Sequence, residues 1–273
     1  MSIKKIYSYK SLQQIWRILI SGNDKLLIET RDINTKDVFY NCFILENGKE
    51  IFSNFQLEEK YWIGVEAFDD DVILFHNFPR PDMPNHRGII ALNVLSKNIL
   101  WKNNEFSFLF VLDGKVYGFK QGFDERYFAA FDFSSGELTE DLGNDFNKIN
   151  TLRIQSENKK NWGAYIYPKI FSDEENDERI RNVISEEIKN LEIEGEVEYN
   201  IAGNILLFNY HIKNAVNNYT NKFSALNLDK GTVVLSEILN ENVKSLLADS
   251  FFVYKNFMFL LRGKNEIIVY DIK

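Results

Sequence analysis

Apolar and polar residues alternate in short runs along most of this chain, and polar turns separate the runs. Alternation of that kind marks strands that bury one face. Two kinds of hairpin recur. The first has six copies: Ile15–Arg31, Trp62–His76, Phe106–Lys120, Leu152–Tyr167, Val197–His211 and Phe251–Arg262. Their tips fall near Asn23, Asp70, Asp113, Asn158, Gly203 and Asn256, roughly 45 residues apart. Asp-Gly, Gly-Asn and Asn-rich tips suit tight hairpins because those residues tolerate positive φ. The second kind lies between the first, in Gly88–Trp101, Phe128–Leu138 and Phe223–Leu235. There Ala91, Ala130 and Ala225 align, with Asn93, Asp132 and Asn227 two places on, and weaker copies stand at Cys42/Ile44 and Val269/Asp271.

Six units of four strands predict an all-β fold, a six-bladed β-propeller of four-stranded antiparallel blades spanning residues 1–273 as one domain. The last segment, Glu266–Lys273, opens an outer hairpin whose partner is missing. The alternating stretch Lys4–Lys10 is expected to supply that partner, so that strands from both termini close the ring and leave only short edges. One stretch breaks the strand pattern. Ile180, Val183, Ile184, Ile188 and Leu191 recur at helical spacing, which predicts one helical insertion near 174–189, with Ser172 and Glu175 as a capping box.

The second hairpins carry a resemblance. Ala91-Leu92-Asn93 with Trp101, Ala130-Phe131-Asp132 with Gly136, and Ala225-Leu226-Asn227 with Gly231 are similar to the repeat of quinoprotein-type (pyrroloquinoline-quinone-like) propellers. In that repeat a small residue, an apolar residue and an Asp precede a Thr-Gly turn and a Trp strand. Lys97 stands where Gly is expected, and Glu140 and Leu235 occupy the Trp column. The acidic calcium ligands and paired cysteines of quinoprotein dehydrogenases have no counterpart here. The resemblance therefore implies a fold and no quinone cofactor. The pattern also resembles bacterial propeller families without an assigned activity.

Composition narrows the chemistry. With 23 Phe and 13 Tyr the chain has ample bulk for the gaps between twisted sheets. Cys42 is the single cysteine, so no internal disulfide or cysteine zinc site can form, and its place in the small-residue column predicts a packing role. No apolar run matches a secretory signal or a membrane helix, so the expected address is cytoplasmic, without a membrane partner. A net charge of −8 weighs against nucleic acid. The chain is read as a monomer.

Candidate chemistry gathers in loops joining the second and third strands of each unit. Between His76 and Arg87 lie Pro79, Pro81 and Pro84, with Arg80, Asp82 and His86 among them. Prolines fix φ and hold such polar side chains in place. His76 or His86 with Asp82 would make a base and its orienting acid, or part of a metal site. No further histidine pair or cysteine completes a metal set, since His211 belongs to the fifth unit. No metal, cofactor or catalytic set is therefore expected.

The first hairpins also end on Arg31, His76, Lys120, Lys169, His211 and Arg262, and Arg87 and Arg126 open the strands that follow. A rim of cations on an acidic chain would focus an anion. The favoured reading is a binding or scaffolding propeller that recognises a protein partner or an anionic small molecule through His76, Arg80, Asp82, His86, Arg87, Arg126 and His211. The alternative is a metal-dependent hydrolase or lyase at the channel mouth. The innermost strands offer only Glu66, Arg153, Gln155, Glu198 and Asn200 for it, a thin set for calcium.

Overall fold

A computed structural model describes residues 2–79, 85–172, 175 and 177–273. The chain forms two compact units, residues 13–160 and residues 1–12 with 161–273. The first strand, β1 (Ile3–Lys10), belongs to the second of these.

Residues 13–160 form three four-stranded antiparallel meanders, the unit from which a propeller blade is built. They are β2 (Gln14–Ile20), β3 (Lys25–Arg31), β4 (Val38–Ile44) and β5 (Glu50–Phe55); β6 (Ile63–Asp69), β7 (Val72–Asn77), β8 (Arg87–Asn93) and β9 (Ile99–Asn103); and β10 (Ser107–Leu112), β11 (Lys115–Gln121), β12 (Arg126–Asp132) and β13 (Leu138–Gly143). The first two meanders share a core of Leu27, Tyr40, Cys42, Phe52, Val65, Ile73 and Phe75. The second and third meet through Leu74, Ile89, Ala91, Trp101 and Val116. Cys42 is fully buried, and burial pushes its thiol pKa up to about 12.

The repeated residues have physical reasons. Ala91, Ala130 and Ala225 are all fully buried, each in the packed interior of its sheet. The side-chain oxygens of Asn93, Asp132 and Asn227 each accept backbone N–H bonds from two and three residues ahead, at 2.8–3.1 Å, and so build the turn. The turn then needs a left-handed residue. Gly136 (φ 72°) and Gly231 (φ 62°) supply it, and Lys97 (φ 61°) adopts it despite its side chain.

The expected fourth hairpin, Leu152–Tyr167, does not form. Helix α1 (Phe146–Lys159) occupies most of it, so Arg153 and Gln155 are helical residues and not strand residues. Asp145 caps α1 by accepting from the Lys148 N–H at 2.9 Å. Ile149 and Leu152 pack on the β10–β13 sheet, and Ser156 donates to the Val111 carbonyl at 2.7 Å. Among the described residues the sheets therefore number five, and six are not formed.

The other two sheets lie in residues 1–12 and 161–273. Tyr165–Ile166 (β14) and Lys169–Ile170 (β15) are two-residue edge strands, and α2 (Glu178–Ile188) follows them. Then come β16 (Glu198–Ala202), β17 (Ile205–Ala215), β18 (Asn218–Asn227), β19 (Thr232–Val243), β20 (Phe251–Tyr254), β21 (Phe257–Arg262) and β22 (Glu266–Ile272). Sheet orders are β15-β16-β17-β18-β19 and β1-β22-β21-β20-β14. The pairing of the termini holds: β1 runs antiparallel to β22, from Ile3 opposite Ile272 to Lys10 opposite Glu266.

Helix α2 begins later than its periodicity predicts. Asp177, not Ser172, caps it by accepting from the Arg179 N–H at 3.0 Å; residues 173, 174 and 176 lie outside the described residues. Ile180 and Ile184 bury against Tyr199, Phe208 and Tyr210.

Candidate functional site

The β6–β9 sheet brings three side chains together. The β6–β7 pairing runs in register from Ile63 opposite Asn77 to Val65 opposite Phe75 and then slips, resuming at Ala67 opposite Leu74. Glu66 sits in that slip. β7 and β8 slip in turn between Phe75 and Asn77, at His76. An extra residue in one strand bends it and re-aims its side chain, which is why bulges accompany sites. The neighbouring sheets slip at equivalent places, but there the residues are Trp16 and Leu109. Only β6 of these three puts a carboxylate at the bulge.

Glu66 turns one oxygen, Oε1, to two imidazoles: His86 Nδ1 at 2.7 Å and His76 Nδ1 at 3.0 Å. The rings stack face to face with centroids 3.5 Å apart and 6° between their planes. The Phe78 ring stands perpendicular to both beside the stack, its centroid 4.7 Å from that of His76 and 5.5 Å from that of His86. Exposure grades across the group, the side chains being 2% (His76), 11% (Glu66) and 43% (His86) accessible.

Local backbone holds these groups in place. Gly64 lies opposite His76 in the ladder, and a Cβ there would stand 2.7 Å from His76 Cε1 and 2.9 Å from Nε2. The absent side chain is the space the imidazole fills. Ser107 Oγ donates to the His86 carbonyl at 2.8 Å, and an Arg17 guanidinium N–H donates to the Val65 carbonyl.

Burial would raise the Glu66 pKa, but the two imidazoles beside it outweigh that and hold the carboxyl below its usual range. His76 is buried, and its Nε2 has no hydrogen-bond partner. Its Nδ1 lies close to the carboxylate oxygen but off the line of a directed hydrogen bond. The nitrogen and oxygen ligand atoms of the three residues all lie within 4.8 Å of one another. Two imidazoles and a carboxylate are a donor set for zinc, iron(II), cobalt or nickel, and magnesium or calcium would demand more oxygen.

Of the residues singled out from sequence, His76 and His86 belong to this group. Glu66, placed earlier only among the innermost-strand residues, completes it. Arg80 and Asp82 lie outside the described residues. Arg87 and Arg126 are exposed at the starts of β8 and β12; Arg126 donates to Gln121 Oε1 at 3.2 Å and lies over the Phe119 ring. His211 belongs to the other unit, where it is buried and its Nε2 accepts the Leu247 N–H at 3.1 Å. Much of the expected cationic rim is already neutralised. Arg31 pairs with Glu29, Lys120 with Glu105, Lys169 with Glu175 and Arg262 with Glu237.

No helix among the described residues is long and apolar enough to cross a membrane. A family described as a domain of unknown function (DUF4905) matches residues 20–101, the stretch that contains Glu66, His76 and His86. No curated protein matches the chain. Among solved structures, a europium-containing methanol dehydrogenase is 12% identical, with a TM-score of 0.33 over 96% of this chain and 52% of that one. A member of the DUF4221 family from Bacteroides vulgatus is 11% identical (TM-score 0.35), covering 100% of this chain and 98% of that one. A eukaryotic initiation factor is 7% identical (TM-score 0.36), covering 96% and 53%. The chain thus spans about half the length of the dehydrogenase and the initiation factor.

Proposed function

We propose that this chain is a ligand-binding domain of β-propeller type that holds a divalent transition-metal ion through Glu66, His76 and His86. The observation that carries the reading is one carboxylate oxygen faced by two imidazole nitrogens at 2.7 and 3.0 Å, in a corner walled by Phe78 and the Gly64 backbone. Two imidazole nitrogens and a carboxylate oxygen gathered within 4.8 Å of one another are a donor set for such a cation. The succession of meanders and the β1–β22 pairing support the propeller part of the reading.

The test is metal uptake by untagged protein, read by calorimetry and elemental analysis with zinc and cobalt. One ion per chain is expected, and His76→Ala and His86→Ala should each weaken binding about 100-fold or more, beyond the range of an outer-shell change. Equal uptake by wild type and His86→Ala overturns the proposal.

A second reading keeps the scaffold that recognises a protein or anion directly. It rests on Arg87 and Arg126, which have no carboxylate partner among the described residues. Its mark would be salt-dependent anion binding by metal-free protein, lost in the double Arg87→Ala/Arg126→Ala variant.

A further inference from the structure

We infer that the ion at Glu66, His76 and His86 is the docking point for a small ligand bearing an anionic oxygen, a carboxylate or a phosphate, which approaches from the His86 side. The inference rests on the metal reading above and names what that metal holds.

Coordination comes first: three protein ligands leave at least one position open, the arrangement of metal sites that engage a further molecule and not of closed structural ones. Charge comes second. A divalent ion with one carboxylate and two neutral imidazoles keeps a net charge of +1, which an anionic oxygen neutralises in a partly buried, low-dielectric corner.

Access comes third, and it sets the direction. His76 and Glu66 are almost enclosed, with Gly64 behind the His76 ring and Phe78 perpendicular to it, whereas His86 is 43% accessible. The open coordination position therefore faces the side on which His86 stands.

Ion entry requires movement that the structure permits. Metal–nitrogen bonds of about 2.0–2.1 Å need each ring's lone pair to point at the ion, which two parallel rings cannot both do. The stack must splay. His76 is held by its packing, so the half-exposed His86 ring is the one that turns while Ser107 keeps its backbone in place.

Cobalt(II) makes the test visible, because its d–d absorption reports coordination number. Cobalt-loaded wild type is titrated with inorganic phosphate and, separately, with acetate, and metal-free protein is titrated in parallel by calorimetry. The expected result is a saturable spectral change with at least one anion, absent from the metal-free arm. An unchanged spectrum with both anions, or equal phosphate binding by metal-free protein, overturns this inference and leaves the metal site standing. Failure to take up cobalt overturns the metal reading itself, and with it this one.

Discussion

Replacing Gly64 by Ala tests the site at its support without touching a ligand. The added Cβ would lie 2.7 Å from His76 Cε1 and 2.9 Å from Nε2. To regain ordinary carbon contact the ring must retreat by roughly 0.8 Å. Its retreat is hemmed in by Phe78, perpendicular at 4.7 Å, and disturbs the His86 stack at 3.5 Å. Gly64 has no positive φ, so backbone strain adds nothing. Overpacking of this size costs about 1–3 kcal/mol. Metal affinity should fall about 10- to 100-fold, as when a ligand's supporting shell is disturbed. Gly22→Ala is the control, since its nearest neighbour, Asp69 Oδ1, would be 3.7 Å away. Urea melts and cobalt titrations on the three proteins decide the matter. If Gly64→Ala melts and binds cobalt as Gly22→Ala does, the packing argument for His76 is wrong.

Two further outcomes are expected. Deleting residues 1–10 removes β1 and exposes β22 as a sheet edge, so the melting temperature should fall by several degrees, at about 2–4 °C per kcal/mol; an unchanged melt would mean the strand adds nothing. His211 titrates below its ordinary value because burial disfavours the imidazolium, and its neutral Nε2 accepts the Leu247 N–H. The unfolded chain therefore binds the proton more readily, and His211's contribution, complete above about pH 6.5, is lost as pH falls below it. Urea midpoints from pH 7.5 to 5 should drop more steeply for wild type than for His211→Gln, and parallel curves would refute the assignment.

The strands were legible because their cause is local. Alternation, Asx turns and left-handed tips each follow from a few adjacent residues, as Asn93, Asp132 and Asn227 show. The segment 146–159 misleads because Leu152, Arg153, Ile154 and Gln155 alternate as a strand would, while the helix rests on Ile149 and Leu152 three apart and on Asp145 as cap. Asp145 before the apolar Phe146 is a helix-start signal that the repeat spacing masks. At the site, the two histidines were visible from their shared loop, but Glu66 was not tied to them. Its direction depends on a bulge in β6, and a slip in register leaves no mark in an alternating sequence. The neutralised rim was hidden in part for the same reason, since Lys120 meets Glu105 of a loop and Arg262 meets Glu237 of β19, whereas Arg31 meets Glu29 of its own strand.

Glu66 occupies a position where a fold of this kind has no need of charge. The matching bulges of β2 and β10 carry Trp16 and Leu109, and both sheets form without a carboxylate there. Keeping an ionised group 11% exposed carries a desolvation cost that the two imidazoles must offset. Local rules broken without structural gain are expected where function imposes them. Glu66→Leu alone would strand the buried His76 imidazole, so the variant that separates the two roles is Glu66→Leu/His76→Leu, which removes both buried members together. Its stability should be unchanged or rise by about 1 kcal/mol, as when buried ion pairs give way to apolar packing, while cobalt binding is lost. Denaturant melts and cobalt absorption on the same preparation measure both. If the double variant unfolds the sheet, or costs several kcal/mol, the carboxylate–imidazole pair is structural, and the site loses its claim to a metal.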